Sequence, residues 1–562
     1  MKQPSNTFDA IVIGSGMSGG WAAKELTEKR LKTLVLERGR PVEHIKDYPT
    51  TNMAPWEFEF RKEPSKATRE EYPIQKEVYA FNESTKHFFA SDKKHPYTTP
   101  EDKPFNWFKG FHTGGKSITW WRQSYRFSEI DFESNARDGY GVDWPVRYTD
   151  IAPWYDYVEK YIGVSGKKEG LRQLPDGEFL PPMEFNCVEE HFRDSIRENF
   201  DGRVMTIGRC AHLTVRHNGR GPCQYRHMCE TGCPFSGYFS SVSVTLPAAQ
   251  ATGNMTFRPH SIVHSIIFDK TSRRASGVRV IDAQTKETTE YFARVIFLCA
   301  STLPTTQIML NSTSESFPDG IGNSSGMLGH HLMDHFGVGL TATVEGFENG
   351  YYNGHRPNGI YIPRFQNIDE PHPDFVRGFG YQGGARRRGW ERGLNQKGIG
   401  AEFKENLLKP GPWEMGIEGY GECLPYYDNK VELHPELKDE WGIPLLHISC
   451  ELKENEKKMM RTMLDMGTEM LEKAGYKEIT PGNPDDWVFG NGIHEMGTAR
   501  MGKDPKTSVL NKWNACHDVP NLFVTDGSFM TSAGCQNPSL TYMAFTARAT
   551  NYAVEQMKKN SL

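Results

Sequence analysis

Apolar positions near the start of the chain follow two different periods, and together they predict a strand–helix–strand unit. Residues 8–14 (FDAIVIG) form a short apolar run that is rich in β-branched side chains. Residues 15–30 follow with helical spacing and good helix formers, and residues 33–39 (TLVLERG) form a second apolar run. Two buried strands joined by a crossover helix are the parts of a parallel βαβ unit. The N-terminal pattern therefore predicts an α/β architecture.

Later segments predict a second kind of sheet. Residues 255–300 contain further strand-like runs, whereas residues 335–450 include segments that alternate apolar and polar side chains, such as 337–347. Alternation of this kind is typical of antiparallel strands that cover a core with one face. Residues 454–476 have the spacing of an amphipathic helix, and residues 540–559 predict a C-terminal helix.

The length of 562 residues predicts more than one domain, because a single hydrophobic core stops growing well below this size. We predict a Rossmann-like α/β domain assembled from discontinuous segments, and a second domain built on an antiparallel sheet (α+β). The segments assigned to the nucleotide-binding domain are 1–45, 100–130, 205–335 and 485–562. The segments assigned to the substrate-binding domain and its surface excursions are 46–99, 131–204 and 336–484.

Charge and hydropathy exclude several classes of partner. The chain has 66 Lys and Arg against 71 Asp and Glu, a net charge of −5, and no basic run, so we expect no nucleic acid. A mean hydropathy of −0.62, without an apolar stretch of about 18 residues, predicts no direct membrane span. The first residues show no secretory signal. A periplasmic or membrane-associated location is therefore expected only through an exported partner subunit, and otherwise the expected location is cytoplasmic.

A glycine motif at the first strand–helix junction predicts dinucleotide binding. Gly14, Gly16 and Gly19 form G-x-G-x-x-G after a strand and before a helix. The glycines permit a tight turn, close approach of the backbone to a pyrophosphate and close helix packing, and the helix N-terminus favours the anion. Glu37 ends the second strand, where an acidic side chain binds a ribose hydroxyl.

Further candidate residues lie in two glycine-containing stretches. Small side chains at Gly114, Gly115 and Ser117 let the backbone lie against a flat cofactor, although such a stretch alone is more often an ordinary loop. His494 lies in a glycine-flanked loop (HEMGT), and a histidine suits a general base near neutral pH. Asn537 offers a donor and an acceptor to hold an alcohol oxygen. Composition alone favours a buried structural role for His494.

Three more positions complete the predicted cofactor contacts. They are Val263, Ala300 and Asp526, and Asn537 is expected to contact the cofactor as well as the substrate.

Three of the ten cysteines lie within eleven residues and predict metal or redox chemistry. Cys223, Cys229 and Cys233 are followed by Pro234, and a closing Cys-Pro is common where iron–sulfur clusters bind. Zinc is the competing metal and needs a fourth ligand, which His227 could supply. A third interpretation is three buried thiols without a ligand.

The order of several motifs resembles the glucose–methanol–choline (GMC) oxidoreductase family of flavoproteins. These motifs are GSGMSGG with Glu37, GGKSITWW, VIFLCASTLPTTQIMLNS, HEMGTARMG and VTDGSFMTSAGCQNPSLTYMAF. The resemblance runs from about residue 8 to the end of the chain and implies an FAD-binding domain and oxidation of CH–OH groups. It implies that His494 is the catalytic base and that Asn537 is its partner. Some members attach FAD covalently through a histidine, and Thr119 stands at that position here, which implies non-covalent FAD.

The cysteine spacing resembles the catalytic subunits of bacterial FAD-dependent sugar dehydrogenases. This resemblance implies a 3Fe-4S cluster near FAD, and a small subunit and a cytochrome as electron acceptors. We expect a sugar or glycoside dehydrogenase, with C3 of a glucoside as the favoured ring hydroxyl. The alternatives are a catalytic subunit of the glucose 1-dehydrogenase or gluconate 2-dehydrogenase type, a pyranose oxidase that uses dioxygen, and a non-catalytic FAD- or metal-binding subunit.

Overall fold

A computed structural model describes the chain over residues 6–347, 356–389, 392–393 and 396–562. Residues 1–5 of the predicted segment 1–45 lie outside these ranges, as do 348–355, 390–391 and 394–395 of the predicted segment 336–484.

The chain begins with a strand–helix–strand unit and continues with α-helices, and most of its strands lie between residues 255 and 481. The α-helices are α1 (Met17–Glu28), α2 (Lys66–Glu71), α3 (Glu129–Asp138), α4 (Tyr148–Ile162), α5 (Cys187–Asn199), α6 (Thr245–Ala251), α7 (Thr302–Leu310), α8 (Gly400–Leu408), α9 (Glu454–Lys473) and α10 (Ser539–Lys558). The strands are β1 (Thr7–Ile13), β2 (Thr33–Leu36), β3 (Thr206–Ile207), β4 (Met255–Arg258), β5 (Ser261–Asp269), β6 (Arg274–Asp282), β7 (Thr288–Leu298), β8 (Phe336–Val344), β9 (Ile360–Ile362), β10 (Phe379–Arg387), β11 (Trp413–Gly421), β12 (Lys430–Lys438), β13 (Pro444–Ser449), β14 (Lys477–Pro481) and β15 (Leu522–Val524).

The first sheet confirms the predicted βαβ unit. Its strand order is β4-β2-β1-β7-β6-β5, and β1 pairs in parallel with both β2 and β7. The long strand β7 pairs with β6 through its first half and with β15 through its second half. Helix α1 crosses from β1 to β2 and buries Trp21, Ala22 and Leu26. The apolar runs of the sequence therefore form the centre of this sheet, because both of its faces are covered.

The second sheet confirms the predicted antiparallel domain. Its order is β14-β8-β11-β10-β9-β3, and helix α9 covers one face. Tyr381 of β10 donates a hydrogen bond to the carbonyl of Met463 in α9. Gly419 of β11 leaves room for the Met463 side chain, because a Cβ there would lie 2.8 Å from its sulfur. Strand β3 falls within the predicted nucleotide-binding segment 205–335 but pairs with β9 of this sheet. No helix in the described ranges is long and apolar enough to cross a membrane.

Buried charges connect the second sheet to α3 and to the loop before α10. Arg377 pairs with Glu422 at 2.7 Å, and its guanidinium also donates to Asn135 in α3. Asp131 of α3 pairs with Arg364 at 3.3 Å and accepts a hydrogen bond from Gln536 at 3.0 Å. Charged groups this deeply buried are tolerated only when they are paired. The network therefore fixes the loop that contains Gln536 against the second sheet.

We predict that Arg377→Met destabilises the protein by about 3–5 kcal/mol, because it leaves the Glu422 carboxylate buried without its closest partner. Thermal or urea unfolding of the holoenzyme measures the loss. The matched control is Arg172→Met, which removes an exposed pair with Asp369 and should leave the unfolding midpoint unchanged. Equal midpoints for the two variants would contradict a structural role of the network.

Candidate active site

A cavity of about 2150 Å³ lies where the two sheets meet, and both sheets line it. Glu37 and Val263 line it from the first sheet, and Gln382 lines it from the second. His494 and Asn537 also line it, so the predicted base and its partner share one cavity with the predicted nucleotide site. The cavity is large enough for a dinucleotide and a substrate together.

The three glycines of the first motif have separate structural roles. Gly14 adopts φ +99°, and a Cβ there would lie 2.4 Å from the carbonyl oxygen of Cys299. A Cβ on Gly19 would lie 2.0 Å from the Gly14 carbonyl, so Gly19 allows α1 to pack on β1. Gly14 and Gly16 line the cavity, whereas Gly19 is not one of its lining residues. No side chain caps α1, which leaves its first N–H groups available to a phosphate.

Glu37 is held at the cavity by the glycine loop itself. Its Oε2 accepts a hydrogen bond of 2.5 Å from Ser15, and its Oε1 accepts one of 2.9 Å from the Gly39 backbone. Burial raises the pKa of the Glu37 carboxyl above its ordinary value. A carboxyl held in this way at the end of β2 is placed to accept a ribose hydroxyl.

The second glycine stretch packs against the first. The Gly114 backbone donates a hydrogen bond of 3.0 Å to Ser15, and Gly114 adopts φ +84° beside the Val242 side chain. Gly115, Ser117 and Thr119 line the cavity, while Gly114 itself does not.

The remaining predicted cofactor contacts also line the cavity. Ala300 and Asp526 lie there together with Val263. Asp526 accepts hydrogen bonds from Thr305 and from the Ser528 backbone, and burial raises its pKa. The glycine cradle, the open helix end and the Glu37 carboxyl thus fit an adenine dinucleotide such as FAD.

Strained backbone surrounds His494. Ile493 has φ 62° and Thr498 has φ 76°, a left-handed region that residues with β-branched side chains rarely adopt. Gly497 lies between them, and a Cβ there would lie 2.1 Å from the His331 carbonyl. The His494 backbone N–H donates to Asp334 at 2.8 Å. The turn is therefore held in place by residues that are distant in the sequence, which is typical of functional loops.

A chain of hydrogen bonds fixes the tautomer of His494. His335 Nε2 lies 2.8 Å from the Gly534 carbonyl, which can only accept, so His335 is the donor there. Burial lowers the pKa of His335 to about 4, so its Nδ1 is an acceptor near neutral pH. His494 Nδ1 lies 2.9 Å from that atom and must carry the proton. The lone pair of His494 is therefore on Nε2.

Asn537 is oriented by the second sheet. Gln382 Nε2 donates a hydrogen bond of 2.7 Å to Asn537 Oδ1. The Asn537 Nδ2 group lies 3.5 Å from His494 Nε2. His494 Nε2 and the Asn537 amide therefore face the same point, where an alcohol oxygen can contact both.

Electrostatics keep His494 neutral. Burial lowers the pKa of His494 well below 6.5, and the positive charge of Lys116 adds to this effect. Lys116 also pairs with Glu495 at 3.0 Å. A neutral imidazole with an exposed lone pair is the form that can accept a proton.

Sequence reasoning missed His335 and Gln382. Both are more than 100 residues from their partners in sequence, and neither lies in a motif that was singled out. Asp334 links the two histidines, because its carboxyl accepts from the backbone of both His335 and His494, but this contact is visible only in the fold.

The cysteine loop lies beside the cavity. Cys229 lines the cavity, and its sulfur lies 3.8 Å from His212 Nε2. Cys223 accepts from the Tyr225 backbone, and Cys233 accepts from the Gly237 backbone, each at 3.4 Å. Within the ranges that the structure describes, no group of three or more His, Cys, Asp or Glu side chains is arranged to hold a metal ion. The thiols as they stand therefore do not form a ligand set.

Relatives of this chain are oxidoreductases. It is 28% identical to 2-methyl-1,2-propanediol dehydrogenase of Mycolicibacterium austroafricanum, over 98% of this chain and 96% of that protein. It is 23% identical to the fructose dehydrogenase large subunit of Gluconobacter japonicus, over the full length of both. The solved structure of pyridoxine 4-oxidase from Mesorbium loti has a TM-score of 0.60 at 16% identity, over 97% of this chain and 99% of that one, and shows a shared fold.

Both parts of one family match the chain. The N-terminal part of the GMC oxidoreductase family matches residues 187–337, and the C-terminal part matches residues 425–546, which include His494 and Asn537. With these matches and the relatives in agreement, the chain belongs to the GMC oxidoreductase family, whose members bind FAD and oxidise CH–OH groups.

Proposed function

We propose that the protein is a sugar or glycoside dehydrogenase that oxidises a ring hydroxyl, with C3 of a glucoside as the favoured position. The observation that carries the proposal is the facing pair of His494 Nε2 and Asn537 Nδ2 at the cavity. A dye-reduction screen of sugars and glycosides, with NMR of the product to locate the new carbonyl, tests it. Failure of every sugar and glycoside to reduce the dye would overturn it.

The chain's own residues hold the alcohol and remove its proton. His494 Nε2 accepts the hydroxyl proton, while Asn537 Nδ2 donates to the same oxygen and stabilises the negative charge that develops on it. FAD, when bound, supplies the hydride acceptor. His494 Nδ1–H donates to His335 Nδ1 throughout, so the imidazole does not rotate when it becomes charged.

The sheet lining supports a polyol substrate over a plain alcohol. Gln382, Glu418 and Tyr420 are polar groups on the lining of the second sheet. Polar groups at a pocket wall orient a substrate with several hydroxyls, since each unmatched polar group would lose a hydrogen bond to water. The rival proposals are a catalytic subunit of the glucose 1-dehydrogenase or gluconate 2-dehydrogenase type, a pyranose oxidase, and a non-catalytic FAD- or metal-binding subunit.

A second proposal concerns the cysteine loop. We propose that Cys223, Cys229 and Cys233 hold a 3Fe-4S cluster, and that the protein works with a small subunit and a cytochrome in the periplasm or at a membrane. The spacing of the thiols and the position of Cys229 at the cavity support this proposal. Within the described residues the three thiols are not arranged as a ligand set, so binding iron would require them to move.

FAD is expected to be bound without a covalent link, because Thr119 stands where a histidyl attachment would form and its side chain cannot make that link. Acid precipitation of the purified protein should leave all flavin in the supernatant. Flavin that remains with the precipitate would contradict this expectation.

We predict that His494→Ala lowers kcat by roughly 10²–10⁴-fold while FAD stays bound, as is typical when a general base is removed. Because His494 must be unprotonated and its pKa is lowered, wild-type kcat/KM should stay level as pH falls through 6.5 and decline only in more acidic solution. The control is His330→Ala, which removes a histidine that contacts the Tyr427 carbonyl outside the cavity. Near-normal turnover of His494→Ala would remove His494 from the mechanism.

We predict that Cys229→Ser loses iron and keeps FAD, and that sugar still reduces its flavin because the base is intact. Iron analysis and EPR of the oxidised protein measure the cluster. The matched control is Cys187→Ser, which changes a thiol of α5 outside the cysteine loop. A wild-type protein prepared anaerobically that contains no iron and forms peroxide rapidly would favour the oxidase instead, and zinc in place of iron would make the site structural.

A further inference from the structure

Strand β11 presents a polar row to the cavity. Burial alternates along the strand, so that Gly416, Glu418 and Tyr420 are only partly buried while Ile417 and Gly419 between them are buried. Gly416, Glu418 and Tyr420 all line the cavity. Successive residues of a strand point to opposite faces, so these three share the face that a substrate meets.

Glu418 lies next to the residue that orients Asn537. Gln382 of β10 and Glu418 of β11 are directly opposed in the antiparallel register. Opposed residues have Cβ atoms about 4.5–5.5 Å apart and point to the same face. Gln382 also contacts Asn537 at 2.7 Å. Glu418 is therefore the direct neighbour of the residue that orients Asn537.

The Glu418 carboxyl has a hydrogen-bond partner but no counter-charge. Tyr420 donates to its Oε2 at 2.9 Å, and burial raises its pKa. No Lys, Arg or His within the described part of the chain forms an ion pair with it, whereas Glu414 on the same strand pairs with Arg386 at 3.2 Å. On β8 the opposed residue is Gly339, so no side chain there covers the carboxyl.

We infer that Glu418 is a specificity residue that accepts a hydrogen bond from a donor, a hydroxyl or an ammonium, close to the oxidised carbon. This inference rests on the proposed function and narrows its substrate class to neutral and cationic polyols. A carboxylate substrate would place a second negative charge beside Glu418 in a poorly solvated cavity, where like charges repel strongly.

The experiment compares three glycosides that differ in charge. The probes are methyl glucoside, methyl 2-amino-2-deoxyglucoside and methyl glucuronide, tested with the FAD-loaded enzyme by dye reduction and by flavin fluorescence on binding. Wild type should prefer both the neutral and the cationic glycoside over the anionic one by about tenfold or more in kcat/KM. If the neutral glycoside has the higher kcat/KM, the donor is a hydroxyl; if the cationic glycoside does, the donor is an ammonium.

The variant Glu418→Gln keeps the shape and removes the charge. The ratio of anionic to neutral kcat/KM should rise by about tenfold, and the ratio of cationic to neutral should fall, with FAD content and thermal midpoint unchanged. The matched control is Glu190→Gln, which removes an exposed carboxyl that also lines the cavity and should leave both ratios unchanged.

Two results would overturn the inference, and they differ in what they mean for the proposed function. Turnover with the same charge ratios in wild type and Glu418→Gln, or a wild-type preference for the anionic glycoside, would overturn the role of Glu418 alone. A holoenzyme that neither binds nor oxidises any of the three glycosides, and that reduces the dye with no other sugar or glycoside, would overturn the role of Glu418 together with the proposed function.

Discussion

The direction of one hydrogen-bond chain decides what this site can do. The Gly534 carbonyl can only accept, so it fixes the proton on His335, and His335 in turn fixes the proton on His494. A reversed chain would place the His494 proton on Nε2, where it could not accept the proton of an alcohol. The backbone therefore sets which nitrogen of His494 can accept a proton, and it does so through the buried residue His335.

The site exists only where the two sheets meet. His494 and Gly534 come from the loops that follow the second sheet in the chain, while Gln382 belongs to the sheet itself and orients Asn537. The buried charges around Arg377 and Asp131 link the same elements through Gln536, the residue before Asn537. The domain junction is thus stabilised by paired charges that also keep Asn537 within reach of His494.

The sequence predicted those parts of the fold whose geometry depends on contacts between residues that are close together in the chain. The glycine cradle could be predicted because the spacing of Gly14, Gly16 and Gly19 between a strand and a helix is a local pattern, although the contact of Gly14 with the Cys299 carbonyl is seen only in the fold. His494 needed the family resemblance, since its surroundings do not distinguish a base from a buried histidine. His335 and Gln382 could not be predicted, because their roles depend on contacts with residues more than 100 positions away. The boundaries of the discontinuous segments remain a prediction.

Strand β11 shows how such a site can vary without loss of stability. Its buried residues, among them Met415 and Ile417, belong to the core of the second domain. Glu418 and Tyr420 face the cavity, and on the neighbouring strand β8 they are opposed by Gly339 and Gly337 instead of bulky side chains. Because the two faces of a strand alternate, the side chain of Glu418 faces the cavity while those of Ile417 and Gly419 face the core. Residues that face the cavity and residues that support the core are therefore adjacent on one strand, whereas the position of His494 depends on contacts from several distant segments.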